Sequence, residues 1–287
     1  MPIALPQTVR RMDRRDLETV LDWAAAEGWN PGQCDANAFF AADPAGFLLA
    51  EIDGQPAGSI AAVNYDKQFG MAGLLLVRRE YRGGRVGVHL VRAALERFAT
   101  RTVGLHAVSA KQRCYAKLGF RVAYRTIRYE CSAGHEGARA FDSPARFTDL
   151  RWARIADLVA YEERLFPAPR PQFLQAWIHQ PGTTALGVLQ LDRLVGYGVL
   201  RPCRVGYKIG PLFADYEGLA EVLLEGLLAT APGSTVYLDV PESNPAALAL
   251  ARRWAMKPCF ATLCMYRGPE PRVDLARIYA VTSLELG

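Results

Sequence analysis

The sequence is poor in the residues that hold metal ions or form disulfide frameworks. It has four histidines among 287 residues, and no two of its cysteines form a Cys-x-x-Cys pair. The six cysteines are Cys34, Cys114, Cys131, Cys203, Cys259 and Cys264. Zinc sites need such ligands at short spacing, so we expect no metal site. Free thiols are the expected state, as is usual in a reducing cytoplasm.

Long hydrophobic runs and blocks of one charge are missing as well. No apolar stretch approaches the roughly 18 residues of a membrane span, and residues 1–7 lack the basic-then-apolar pattern of a secretory signal. The net charge is +5 at pH 7, and the arginines are scattered along the chain. We therefore expect a cytoplasmic protein that acts on neither a membrane nor a nucleic acid.

The composition is that of a globular protein with ample material for a core. Hydrophobic residues make up 51% and charged residues 22% of the chain. A length of 287 residues predicts about two domains. A polar stretch rich in Gly, Ser and Ala begins at Ser132. We predict a first domain over residues 1–131, a linker over residues 132–146 and a second domain over residues 147–287.

The most informative segment joins an apolar run, residues 74–77, to a helix through a basic, glycine-rich turn. Apolar residues recur on one face of this helix, at Leu90, Val91, Ala94, Leu95 and Phe98. Free backbone N–H groups converge at such a helix start, and the helix dipole favours an anion there. The segment has neither the nucleoside-triphosphate loop pattern nor a full Gly-x-Gly-x-x-Gly. It predicts a phosphate-bearing ligand of another kind.

The turn resembles the acyl-CoA loop of the GNAT superfamily of N-acetyltransferases, whose pattern is Arg/Gln-x-x-Gly-x-Gly/Ala. The positions that fit are Arg82, Gly83, Gly84, Val86 and Gly87. Arg85 stands where the family usually has its first glycine. Either the loop keeps its turn with Arg85, or the glycine has moved to Gly84 and the loop is reshaped. The resemblance implies that this loop, Arg85 included, binds CoA together with Leu75 and Val77, and that backbone N–H groups of residues 75–77 polarise the thioester carbonyl.

A second motif lies after the strand-like run over residues 102–108. The segment from Tyr115 to Phe120 matches in full the Tyr-x-x-Leu-Gly-Phe ending of a short GNAT helix. The resemblance implies that Tyr115 contacts the cofactor and donates its proton to the departing CoA thiolate. A phenol with a pKa of about 10 can do this within hydrogen-bond reach. The alternative is a half-buried tyrosine that only packs.

The base and the acceptor site are less clear from the sequence. The family often has a glutamate early on the loop-bearing strand, where this chain has Met71. Asp66 in the preceding loop is one candidate for the base, and a water chain to bulk solvent is the other. His106 is either a proton relay or, as we prefer, a core histidine. By resemblance the region between the first two helices covers the acceptor, where Trp29 walls the pocket or anchors the loop and Asp35 is a further contact.

The second half of the chain repeats the order of the first. Residues 48–53 align with 186–192, and residues 116–121 align with 252–257, which indicates an internal duplication. In the second copy the phosphate loop has gone, and Ala251 stands where the first copy has Tyr115. The second copy resembles the GNAT-like C-terminal domain of bacterial tandem acetyltransferases.

These resemblances imply a mixed α/β fold of the α+β type, with two tandem GNAT units. Each unit would have a central, mostly antiparallel twisted sheet flanked by helices. The implied activity is transfer of an acetyl group from acetyl-CoA to a primary amine of a small molecule or peptide, by direct attack with Tyr115 as general acid. The alternative is a CoA-binding sensor without turnover. We expect one CoA, bound in the first copy, and a second copy that completes or shields the acceptor pocket.

Overall fold

The computed structural model describes residues 7–134 and 146–287, so most of the predicted linker lies outside the described residues. The first copy contains β1 (Gln7–Arg11), α1 (Arg14–Ala26), α2 (Asp35–Ala42), β2 (Phe47–Ile52), β3 (Gln55–Asn64), β4 (Phe69–Val77), α3 (Val86–Phe98), β5 (Thr102–Ala107), α4 (Gln112–Ala116) and β6 (Arg121–Ser132). The second copy contains β7 (Arg146–Asp149), α5 (Ile155–Glu162), α6 (Pro171–Ile178), β8 (Thr184–Gln190), β9 (Arg193–Pro202), β10 (Tyr207–Ala214), α7 (Glu217–Leu228), β11 (Thr235–Pro241), α8 (Pro245–Arg253), β12 (Lys257–Arg267) and β13 (Ile278–Ala280). The second copy repeats the element order of the first and adds β13, which the sequence did not predict.

The first helix shows how local sequence sets an element. Asp13 accepts a hydrogen bond from the Asp16 backbone N–H, and the Asp16 side chain accepts one from the Asp13 N–H. This reciprocal capping box satisfies N–H groups that the first turn leaves free. Four apolar residues at helical spacing form the buried face: Leu17, Val20, Leu21 and Ala24. The helix stops before Gly28, whose φ of 80° suits glycine.

The strands of both copies form one continuous sheet. Its order is β1-β2-β3-β4-β5-β12-β6-β11-β10-β9-β8-β7, and β13 pairs with β10. Most neighbours are antiparallel, while β4 pairs with β5 and β10 pairs with β11 in parallel. The last strands of the two copies are exchanged, since β12 lies between β5 and β6, and β6 lies between β12 and β11. Each half of the sheet is therefore completed by a strand from the other copy.

The exchanged strands reveal an approximate two-fold relation between the copies. Thr126 on β6 pairs with Thr262 on β12, and the register is symmetric about this pair. The last parallel pair is Ala72 with Leu105 in the first copy and Ile209 with Leu238 in the second. Gly73 is thus equivalent to Gly210, and His106 is equivalent to Asp239.

The seam between the copies is largely apolar. Phe39 on α2 stacks on Trp177 on α6 with ring centroids 6.1 Å apart, and both side chains are fully buried. Trp177 also donates an indole hydrogen bond to the Gly210 carbonyl at 2.9 Å. Because large aromatic side chains dominate burial energetics, α2 and α6 anchor the two copies to each other.

Two absences apply to the residues that the structure describes. None of their helices is long and apolar enough to cross a membrane. Within the same ranges, no three His, Cys, Asp or Glu side chains are grouped so that they could hold a metal ion.

Candidate active site

The candidate site lies where β4 and β5 separate. These strands pair in parallel from Phe69–Thr102 to Ala72–Leu105 and then diverge. We call the opening beyond Ala72 and Leu105 the first notch, and the equivalent opening between β10 and β11 the second notch. The loop to α3 comes directly after β4 and α4 comes after β5, so both motifs found in the sequence border the first notch.

A β-bulge interrupts β4 at the start of the first notch. Ser59 pairs with Leu76 and Ala61 pairs with Gly73, so the ladder skips Leu74 and Leu75. Leu74 has a φ of 48°, and its carbonyl accepts a hydrogen bond from the buried Ser59 hydroxyl at 2.8 Å. The pairing of β5 also ends before these residues. The Leu75 N–H is therefore outside both ladders and available to a ligand in the first notch.

The glycine-rich loop keeps its turn without a glycine at residue 85. Gly83 carries the left-handed conformation, with a φ of 81°. Arg85 has a φ of −90° and a ψ of −7°, which any residue adopts. Among the described residues, no side chain caps the start of α3. Its first N–H groups lack intrahelical acceptors, so this helix start can bind an anion.

Arg82 ties the loop to the rest of the first copy. Its Nη2 lies 2.6 Å from Glu27 Oε1, and its Nε donates to the Val77 carbonyl at 2.9 Å. A Cβ placed on Gly87 would meet Val77 Cγ2 at 3.5 Å, an ordinary contact. The loop is thus fixed against the end of β4 while its arginine stays half exposed.

Tyr115 lies on the same side of the sheet as α3. It joins the apolar cluster beneath α3 that also contains Leu75 and Val77. Its ring meets Phe120 edge-on, with centroids 5.9 Å apart. Gly119, with a φ of 88°, reverses the chain so that the Phe120 N–H reaches the Tyr115 carbonyl. Burial raises the pKa of Tyr115 above its usual value of 10.0, so the phenol holds its proton near neutral pH.

Asp66, predicted as a candidate base, precedes β4 and so lies at the opposite end of that strand from the first notch. Its Oδ1 accepts the backbone N–H groups of Gln68 and Phe69, both at 2.7 Å, and so shapes the turn before β4. Tyr115 lies beyond the far end of β5, and a six-residue strand spans about 20 Å. The structure does not bring Asp66 and Tyr115 together, and it gives Asp66 a turn-forming role instead.

Asp35, predicted to contact the acceptor, is buried in the seam. Its Oδ1 accepts Arg201 Nε at 2.8 Å, and its Oδ2 accepts the Gly32 N–H at 2.7 Å and Arg201 Nη2 at 3.2 Å. Both side chains of this ion pair are fully buried. The prediction is corrected because Arg201, which is 166 residues away in the chain, occupies the carboxylate.

Trp29 packs against the apolar seam as a partly buried residue. Its carbonyl accepts a hydrogen bond from Arg128 Nη1 at 3.1 Å. These contacts favour the loop-anchor interpretation of Trp29 over a pocket wall.

A buried group of charges at the seam was not predicted from the sequence. We call Asp35, Arg128, Arg201, Lys208, Asp239 and Glu285 the seam cluster. Arg128 binds both oxygens of Asp239, at 2.7 and 2.8 Å. Lys208 is fully buried and donates to the Asn30 carbonyl at 3.0 Å, and burial with the nearby Arg128 lowers its pKa. The available signal was a charged residue inside an otherwise apolar strand, as at Lys208 in β10.

His106 borders this region on β5. Burial lowers its pKa to about 4, against an opposing effect of the nearby Asp239. Its Nδ1 lies 3.5 Å from Thr262 Oγ1. The ring is therefore neutral near neutral pH, as expected for a core histidine.

The second notch is filled by the chain itself. β13 pairs with β10 through Leu212–Ala280 and Phe213–Ile278, and the Val281 N–H donates to the Asp239 carbonyl of β11 at 2.9 Å. The bulge in β10 spans Gly210 and Pro211, and proline has no N–H to offer. Only Asp215 and Tyr216 separate β10 from α7, so no phosphate loop is formed.

Comparisons with known proteins agree with this architecture. Residues 13–120 match the model of the Acetyltransferase (GNAT) family, and residues 158–280 match that of the Acetyltransferase (GNAT) domain. The chain is 30% identical over 273 residues to holothin acyltransferase from Pseudoalteromonas sp. (strain SANK 73390). This match covers 95% of the present chain and 92% of the relative. The chain belongs to the GNAT family. It carries two GNAT domains in tandem.

Solved structures share the fold of this tandem GNAT protein. A Pyrococcus horikoshii protein described as an acetyltransferase superposes with a TM-score of 0.82 at 21% identity, covering 98% of this chain and 96% of its own. A tandem GNAT protein from the clavulanic acid biosynthesis pathway superposes with a TM-score of 0.65 at 16% identity, covering 92% and 100%. At these identities the likeness concerns the fold alone.

Proposed function

We propose that this GNAT protein transfers an acetyl group from acetyl-CoA to a primary amine of a small molecule or peptide, in the first notch. The observation that carries the proposal is a contrast between the notches. The first combines a bulged β4, an uncapped start of α3 and Tyr115. The second has Pro211 at its bulge, no phosphate loop and β13 in the opening. One acyl-CoA therefore binds per chain.

The groups around the first notch suit direct transfer. The loop from Arg82 and the first N–H groups of α3 would hold the CoA phosphates. The Leu75 N–H would polarise the thioester carbonyl. The amine nitrogen then bonds to the acyl carbon, the carbon–sulfur bond breaks, and Tyr115 donates its proton to the sulfur. The raised pKa of Tyr115 keeps that proton available near neutral pH.

The alternative of a CoA-binding sensor has three supports in the sequence: Arg85 in the loop, the absence of a carboxylate on β4 and the degenerate second copy. The ordinary helical conformation of Arg85 favours a loop that keeps its turn. A carboxylate of the seam cluster can fill the gap on β4, and a second copy without a site of its own is compatible with turnover in the first. Turnover separates the two functions, because a sensor binds acetyl-CoA without releasing free CoA.

The test is thiol release from acetyl-CoA in the presence of diverse amines. The panel contains aminated antibiotics, polyamines, amino acids and peptides, with holothin as the first compound because a relative is named for it. Calorimetric titration with acetyl-CoA should count one site per chain. Binding without thiol release from any amine would favour the sensor, and two equivalent sites would contradict the assignment to the first notch.

Tyr115→Phe tests the acid. We expect turnover to fall about 10²-fold, the low end of general-acid contributions, while acetyl-CoA binding is kept because the ring still packs. Tyr216→Phe is the control, since that phenol lies half exposed in the second copy. A fully active Tyr115→Phe variant would show that water supplies the proton.

A further inference from the structure

The chain after β13 runs from the second notch to the first. A Cβ on Gly210 would lie 2.3 Å from the Thr282 carbonyl oxygen, and a Cβ on Gly73 would lie 1.9 Å from the Glu285 carbonyl oxygen. Neither contact leaves room for a side chain. The equivalent glycines of the two bulges therefore both make space for this one segment, and residue 285 lies against the bulge of β4.

Hydrogen bonds from both copies fix the segment there. Arg170 donates to Thr282 Oγ1 at 2.7 Å and is itself held by Glu162. Asn244 donates to the Ile278 carbonyl at 3.0 Å. From the first copy, the Tyr65 hydroxyl donates to the Leu286 carbonyl at 2.8 Å. The position of residue 285 relative to the first notch is thus set by contacts on either side of it.

Glu285 approaches β4 from the face opposite Tyr115. Side chains alternate along a strand, and Ala72 packs in the cluster beneath α3 with Tyr115. The Cα–Cβ direction of the next residue, Gly73, points to the opposite face, where Glu285 lies. Tyr115 on one face and the backbone of Glu285 on the other therefore flank the same bulge.

The Glu285 carboxylate lacks the partner that the other seam carboxylates have. Asp35 and Asp239 each bind an arginine through both oxygens. Glu285 is 4% exposed, and its Oε2 has no hydrogen-bond partner among the described residues. Arg201 Nη1 and Thr126 Oγ1 are likewise buried and unpartnered there. A buried polar atom without a partner is costly, so such a group calls for a ligand or a water molecule.

The charges that face Glu285 come from several strands. The Glu285 side chain lies within electrostatic range of Arg128 on β6, Arg201 on β9, Lys208 on β10 and the Cys203 thiol after β9. Asp35 and Asp239 are paired with two of these cations. Lys208 is the nearby cation that no carboxylate engages directly among the described residues.

We propose that Glu285 is the proton acceptor of the acyl transfer in the first notch. This rests on the proposed function and deepens it. The carboxylate takes one proton from the amine, directly or through one water molecule, as the nitrogen–carbon bond forms. The carbon–sulfur bond breaks and Tyr115 gives its proton to the sulfur, after which solvent removes the proton from Glu285 and restores that of Tyr115. The second copy thus supplies the carboxylate that β4 lacks at Met71.

The test compares Glu285→Gln with wild type and with Glu242→Gln, an exposed carboxylate of the second copy that pairs with Arg125. Glu285→Gln should retain the thermal stabilisation by acetyl-CoA. Its kcat/KM for the amine should fall about 10²-fold near neutral pH. The loss should shrink as pH rises, because hydroxide from solvent can then accept the proton in place of the carboxylate. Glu285→Asp, which keeps the charge, should recover part of the rate.

Other results would overturn the assignment. A Glu285→Gln variant as fast as wild type removes Glu285 alone and leaves the acetyl-CoA site and Tyr115 in place. A loss of equal size at every pH, or a loss of stabilisation by acetyl-CoA, would show that Glu285 only holds the structure. Absence of thiol release by the wild-type chain with every amine would end the proposed function and this role together.

Discussion

The two notches are built from equivalent strands, yet only one of them is open. In the first, β4 and β5 diverge beside an N–H outside the ladders, a glycine-rich loop and Tyr115. In the second, β10 and β11 diverge around β13. The scaffold is therefore separable from the site. A strand pair that splays open is retained in both copies, and the segments that border or fill the opening decide its use.

The comparison also shows what the second copy contributes to the first. Its core is complete, with Leu223, Leu224 and Leu227 of α7 fully buried. The segment that fills its notch continues to the bulge of β4. Closing the second notch and lining the first are thus achieved by the same short stretch of chain, residues 278–287.

The largest expected effect comes from breaking the buried ion pair of the seam. Asp35→Ala leaves the fully buried Arg201 without its carboxylate, which should cost about 3–5 kcal/mol of unfolding free energy. Asp22→Ala is the control, because Asp22 and Arg204 form an exposed pair across the same seam and should contribute at most about 1 kcal/mol. Urea unfolding of both variants measures the difference, and equal losses would mean that the buried pair stabilises the protein no more than the exposed pair does.

The next largest expected effect tests which of the two notches binds acetyl-CoA. A hundredfold excess of acetyl-CoA over its dissociation constant should stabilise the protein by about 2.7 kcal/mol. Arg82→Glu should abolish most of that gain, because it sets a negative charge against the phosphates. Arg253→Glu makes the same charge change on α8 of the second copy and should leave the gain intact. Thermal denaturation with and without acetyl-CoA gives the answer, and a gain that survives Arg82→Glu would place the cofactor elsewhere.

Equivalent glycine substitutions sharpen the comparison further. Gly73→Ala and Gly210→Ala each force a Cβ against a backbone carbonyl, at a cost of about 1–3 kcal/mol. Stability should therefore fall to a similar extent in both variants. Only Gly73→Ala should also reduce thiol release beyond the loss expected from unfolding, because it alters the bulge of the open notch. Equal losses of activity would indicate that both bulges take part in turnover.

The smallest effect concerns His106 and acid. Its pKa is about 4 in the folded chain against an ordinary 6.5. Between these pH values the unfolded chain binds a proton that the folded chain does not, so stability falls as pH drops from 6.5 towards 4. The ring keeps some solvent contact, and we expect a contribution of about 1 kcal/mol. His106→Gln should lose less stability on acidification, as measured by urea midpoints across this range, and an unchanged pH dependence would contradict the shift.

Features carried by neighbouring residues could be predicted from the sequence. The loop before α3 and the helix with Tyr115 depend on spacings of a few residues, and their elements are where the sequence indicates. β13 and the exchange of β6 and β12 depend on pairing between distant segments, which hydrophobic periodicity does not encode.

The site was predictable only in part for the same reason. Asp35 looks like an exposed acid near a helix start until Arg201 is placed beside it. Asp66 precedes the correct strand but at its far end. Glu285 lies near the end of the chain, in a segment whose sequence pattern does not link it to the site of the first copy. Only the structure shows that the Glu285 backbone occupies the space that a side chain at residue 73 would need.

Because the strands are exchanged, one edge of the first copy stays unpaired until late in synthesis. The edge of β5 that receives β12 has no partner until residues 257–267 have left the ribosome. At cellular elongation rates the intervening stretch takes roughly 10–30 s to translate. During that time an unpaired strand edge is open to neighbouring chains. A first copy produced without the second would lack the strand that pairs with this edge in the full chain.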